Sequence, residues 1–104
     1  MDKQIVYRIY CGKRIGKSDV KVLHTDFIRF IYDVVVPIFD GFTLFDVNGY
    51  WDDTREPTTI IEIIVTNYHH RDYQHIQRIA KRYKETFKQE AVLVTQQPIE
   101  CELV

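Results

Sequence analysis

The chain has 104 residues, 45% hydrophobic and 28% charged, with a formal net charge of −1 at pH 7. That length reads as one domain, residues 1–104, able to bury a core without a disulfide or metal, and the composition excludes disorder. The near-neutral charge excludes a strongly basic nucleic-acid module, and no apolar run reaches the roughly 20 residues that span a bilayer.

The start, Met1 to Gln4, leads straight into a strand pattern with no secretory signal, so the expected location is the cytoplasm. Cys11 and Cys101 are expected as reduced thiols. Gln4 to Cys11 alternates as a strand, with Ile5, Tyr7, Ile9 and Cys11 on one face and Val6, Arg8 and Tyr10 on the other. Gly12 to Ser18 is a loop, and Val20 to Leu23 a short extended piece. The first helix is expected from Thr25, whose hydroxyl suits an N-cap, with Asp26 at the positive end of the helix dipole. Phe27, Phe30, Ile31, Val34 and Val35 form its apolar stripe, and Pro37 stops it.

Gly41 to Val47 reads as a second strand, Asn48-Gly49 as a turn and Tyr50 to Pro57 as a loop, with room for a strand extension at Tyr50-Trp51. Thr59 to Thr66 is apolar on both faces except for Glu62, which marks a central strand. Tyr73, Ile76, Ile79, Ala80, Tyr83 and Phe87 share one stripe of a long second helix, and Ala91 to Gln96 is a last strand ended by Pro98. The order βαββαβ predicts an α+β, ferredoxin-like fold: an antiparallel sheet with both helices on one face. Its other face then needs a cover, which points to a homo-oligomer.

The usual chemical constellations are absent. His70 and His75 are five apart, which misses the helical pair spacing, so a solvated helix start is preferred and no metal is expected. Cys11 has no evident histidine partner. Gly16-Lys17-Ser18 lacks the spacing and the parallel strand context of a phosphate loop, which leaves an exposed basic loop. Tyr7 and Tyr10 suit the first strand of an RNA-recognition module, but Ile60 to Val65 has no aromatic, and acids between Asp40 and Glu62 repel phosphate; no nucleic acid is expected.

The unusual stretch is Asp46 to Pro57, where Tyr50 and Trp51 stand among acids. Aromatics beside carboxylates suit a cationic or purine-bearing ligand; a hairpin tip packed on a neighbouring subunit is the alternative. Glu62 faces solvent, pairs with Arg8 across strands, or meets a ligand at an interface. From Arg71 to Lys88, six cations face two acids, a basic helix set against an acidic hairpin, which favours head-to-tail assembly.

Ile79-Ala80 and the run Phe87 to Val94 resemble the second helix and last strand of phage-encoded S-adenosylmethionine lyases, formerly called hydrolases. Gly49-Tyr50, then Glu56, then the strand from Ile60 to Val65 is similar to that family's tyrosine and glutamate before a central strand. The segments Tyr7 to Gly12, Val35 to Phe39 and Arg55-Glu56-Pro57 also resemble a bacterial family of unknown function. The lyase resemblance implies a PII-like trimer that binds S-adenosylmethionine between subunits; an end-to-end sheet dimer is the other oligomer weighed. It implies attack of the substrate's own carboxylate on its γ-carbon, giving 5′-methylthioadenosine and homoserine lactone with no cofactor. Glu56 and Tyr50 would be the catalytic pair, with Glu62 the alternative acid, and Trp51, Glu62 and Gln97 would contact substrate. A phage origin would place the protein in the host cytoplasm, without membrane attachment. A non-catalytic oligomer that binds a nucleotide-like metabolite, and a purely structural oligomer, are the other readings.

Overall fold

A computed structural model describes residues 4–104. Its elements are β1 (Ile5–Gly12), α1 (His24–Phe30) continued by a π turn (Ile31–Val35), β2 (Thr43–Trp51), β3 (Thr54–Val65), α2 (His70–Thr86) and β4 (Leu93–Pro98). The four strands form one antiparallel sheet in the order β2-β3-β1-β4. Over the described residues the protein is a small α+β structure of four antiparallel strands and two helices. None of the described helices is long and apolar enough to cross a membrane.

Cross-strand pairing sets the two faces of the sheet. Tyr7, Ile9 and Cys11 sit opposite Ile63, Ile61 and Thr59, and since paired residues share a face these six side chains lie together. All are buried, and the apolar ones join Phe27, Phe30 and Val35 of the first helical segment and Ile76, Ile79 and Tyr83 of α2 in one core. Tyr83 is its aromatic hub, 5.3 Å from Phe30 and 4.8 Å from Phe87 between ring centroids. The opposite face carries Tyr10, Ile60 and Phe45 in one cross-strand row. Phe45, Val47, Ile64 and Leu93 are among its exposed apolar side chains.

Four expectations need correction. The first helix starts at His24 rather than Thr25; Leu23 is its N-cap and no side chain caps it. It widens into a π turn before Pro37, where the Val36 N–H donates to the Ile31 carbonyl at 3.0 Å. Proline lacks an N–H and crowds the preceding turn, and the β-branched run before it is a weak α-helix former, so the closing turn is loose. Asn48-Gly49 is not a turn, and Tyr50 to Pro57 is not a loop: β2 and β3 pair through Trp51 opposite Thr54. The hairpin turns at Asp52 and Asp53, with φ of 49° and 61°, and aspartate tolerates this left-handed region better than most residues. Gly49 serves close packing instead, because a Cβ there would lie 3.1 Å from Thr58 Oγ1.

The last strand is shifted to Leu93–Pro98, and Pro98 is paired with Ile5 rather than lying beyond the strand. An edge strand tolerates proline because one row of its N–H groups has no ladder partner. The tail continues beside Gln4, whose side chain bonds both ways with the Cys101 backbone. Cys11 is buried, Cys101 is half-buried and both are free.

Candidate functional site

One end of the sheet is built around Gly12, the last residue of β1. Its carbonyl accepts a 2.5 Å hydrogen bond from the Tyr83 hydroxyl. The absence of a side chain matters here: a Cβ on Gly12 would press on Glu56 Oε1 and stand 2.8 Å from Gln89 Oε1. Glu56 is half-buried in β3 opposite Gly49, so the carboxylate occupies space that only glycine leaves.

The end of α2 delivers Gln89. The Gln89 N–H donates to the Lys84 carbonyl at 2.9 Å, and Lys88 takes a left-handed φ of 52°, which closes the helix in a Schellman-type turn. The Gln89 side-chain amide then donates to the Arg14 carbonyl at 2.5 Å. Burial, then the proximity of Cys11 and Glu56, holds the Tyr83 phenol far above its ordinary pKa, so it stays a hydrogen-bond donor throughout the physiological range. Burial likewise pushes the Cys11 thiol up to about 12, which makes it a poor nucleophile and a packed core residue.

Next to Gly12, Lys13 is half-buried with its Nζ 3.0 Å from the centroid of the Phe27 ring. Burial lowers its pKa to about 8, partly offset by Cys11 and Asp46. Lys13 lines a cleft of about 240 Å³ together with Asp46, Val47, Asn48, Pro57, Thr58 and Thr59. Thr59, only 3% exposed, donates from Oγ1 to Asp46 Oδ1 at 2.8 Å.

The sequence-predicted residues fall into three places. Glu56 belongs to the Gly12 cluster. Tyr50 and Trp51 stand on the same hairpin, opposite Arg55 and Thr54, but are 71% and 76% exposed and, as strand neighbours, project to opposite faces. Glu62 is engaged by Arg8, with Nε and Oε2 2.9 Å apart, as the cross-strand reading allowed. Gln97 pairs with Val6, six residues along β1 from Gly12 and so roughly 20 Å away along the strand. One chain therefore puts Tyr50 and Glu56 on one hairpin but, since Glu56 pairs with Gly49 and Tyr50 with Arg55, on opposite faces of it, and it leaves Gln97 at the other end of the sheet.

Sequence reasoning missed Gly12, Lys13, Asp46, Thr59 and Gln89. Asp46 next to Thr59 was findable from strand register, and the others depend on contacts distant in sequence. A larger groove, about 930 Å³, runs along α2 and β4 between Arg78, Lys81, Arg82 and Lys84, but it contains none of the predicted site residues. We place the candidate site at Gly12 because polar side chains from β3 and from the C-terminal end of α2 converge there on the end of β1. No cluster of three potential metal ligands occurs among the described residues.

Residues 6–103 match the model of a protein family of unknown function, DUF3574, and the chain belongs to that family. No curated protein matches it in sequence. Among solved structures it is similar to a phage SAM lyase in complex with S-methyl-5′-thioadenosine, with a TM-score of 0.70 and 21% identity over 94% of this chain and 83% of that one. It is also similar to a phage SAM lyase in the apo state, with a TM-score of 0.63 and 19% identity over 92% and 81% of the two chains. At these identities the likeness is one of fold.

Proposed function

We propose that the protein is an S-adenosylmethionine lyase acting as a homo-oligomer of ferredoxin-like subunits, a PII-like trimer in the host cytoplasm, with no cofactor. The observation that carries the proposal is the Glu56 carboxylate held against Gly12 on a hairpin that also bears Tyr50, in a fold similar to that of a lyase holding methylthioadenosine. The uncovered sheet face, with Phe45 and Ile64 exposed, and the exposed Tyr50 and Trp51 supply apolar surface for subunit contact. A neighbouring subunit would also supply Gln97, which its own Glu56 cannot reach.

The chemistry asks little of a small protein. The sulfonium is already an activated leaving group. A substrate carboxylate oxygen bonds to the γ-carbon, the carbon–sulfur bond breaks, and its electron pair returns to sulfur, giving neutral methylthioadenosine and homoserine lactone. Water is not consumed. The protein holds the chain folded with carboxylate and γ-carbon in line and excludes solvent. Glu56 orients the substrate cation, the Tyr50 hydroxyl fixes the nucleophile and Trp51 stacks on the purine.

Purified protein incubated with S-adenosylmethionine, with products followed by liquid chromatography and mass detection, tests the proposal. Methylthioadenosine and homoserine lactone are expected faster than without protein. Glu56→Gln should abolish turnover while leaving the melting temperature within a few degrees of wild type. Free homoserine formed directly would make water the nucleophile, and unconsumed substrate would end the lyase reading. The exposure of Tyr50 and Trp51 favours a second reading, a binding oligomer without catalysis, in which the ligand is recovered unchanged.

A further inference from the structure

The cleft beside Lys13 holds two opposite charges that form no close ion pair with each other. Lys13 and Asp46 both line it, and neither takes part in an ion pair among the described residues. Each is held by other partners: Lys13 lies over the Phe27 ring, and Asp46 accepts from the buried Thr59 hydroxyl. Asn48 and Thr58 complete the lining beside Val47 and Pro57. A simple anion would meet repulsion from Asp46, and a simple cation would meet repulsion from Lys13. A ligand carrying both signs a few bonds apart satisfies both.

We propose that the Lys13–Asp46 cleft binds the zwitterionic α-amino-acid head of the ligand, its carboxylate on Lys13 and its ammonium on Asp46. A volume of about 240 Å³, against roughly 30 Å³ per water, admits a head of five heavy atoms. Glu56, on the neighbouring Gly12 cluster, is then left to face the sulfonium rather than the amino group. The inference rests on the lyase reading and adds the subsite that tells an amino-acid-bearing nucleoside from the product that has lost its head.

Calorimetric titration with two unreactive probes tests it: S-adenosylhomocysteine, which carries the head, and methylthioadenosine, which does not. The wild type should bind the first more tightly. Lys13→Gln and Asp46→Asn should each weaken S-adenosylhomocysteine at least tenfold and leave methylthioadenosine within twofold, which also reports an intact fold. Lys13→Arg should retain most of the preference. Equal wild-type affinity for the two probes, an unchanged preference in both variants, or parallel loss of both probes would overturn the cleft assignment alone. Binding of neither probe by the wild type would overturn the lyase reading and the inference with it.

Discussion

Tyr83 links the core to the candidate site through a single atom. Its ring packs against Phe27, Phe30 and Phe87, while its hydroxyl reaches out of the core to the Gly12 carbonyl. Tyr83→Phe keeps the ring and leaves that carbonyl without its donor. The expected cost is about 1–3 kcal/mol in urea denaturation, and unchanged stability would show that the carbonyl finds water instead. Glu62 is a test of a different kind. Its ion pair with Arg8 is partly exposed, so Glu62→Gln should lower stability by roughly 1 kcal/mol or less. If Glu56 is the working carboxylate, Glu62→Gln keeps its turnover of S-adenosylmethionine. A loss of turnover comparable to that of Glu56→Gln would transfer the role to Glu62.

The β2–β3 hairpin shows how far local signals reach. Two consecutive aspartates hold left-handed backbone at its tip, which costs each of them more than it would cost glycine. Asp53→Gly should therefore raise stability by about 0.5 kcal/mol, read as a higher urea midpoint with an unchanged slope. A lowered midpoint would mean that the Asp53 side chain holds the turn. Asn48-Gly49 looks like the stronger turn in sequence, yet a nine-residue ladder from Thr43 to Trp51 overrides it. The alternation of β1 and the apolar run of β3 were legible because their side chains meet the core directly, and so was the stripe of α2. The core face of β1 emerged with the predicted members Tyr7, Ile9 and Cys11. The start of α2 was readable only as a polar helix start; its cap is His69, whose N–H donates to Asp72 Oδ2 at 2.9 Å. Of the candidate site, Glu56 was legible through a motif. Lys13 was read as one cation of a loop, because nothing in its spacing places Nζ over Phe27.

For the whole molecule, four groups, Lys13, Cys11, Tyr7 and Tyr83, make stability depend on alkaline pH. In the unfolded chain each titrates near its ordinary value, and only groups whose pKa differs between states contribute. Lys13 falls from 10.5 to about 8, so between those values the unfolded chain carries a proton that the folded chain has lost. Stability then rises with pH, beginning near 8, as the cost of burying the ammonium is relieved. Cys11 moves the other way, from 9.0 to about 12, so above 9 the folded chain keeps a proton that the unfolded chain releases, and stability falls. Tyr83 and Tyr7, both held by burial far above their ordinary 10.0, add to that fall from about pH 10. The expected profile climbs from pH 8 to 9, levels while Lys13 and Cys11 oppose each other, and declines above 10. Urea midpoints measured at unit intervals from pH 7 to 11 would trace it. Lys13→Gln should remove the climb and leave the decline. Cys11→Ala should lower stability at pH 7 by roughly 1 kcal/mol, for the lost core volume, and extend the climb toward pH 10. A wild-type profile that is flat from 8 to 9, with the same shape in Lys13→Gln, would show that the Lys13 ammonium is solvated in the folded protein. The same result would weaken its use as a desolvated charge in the cleft, so the stability profile and the ligand titration examine one physical property by independent routes.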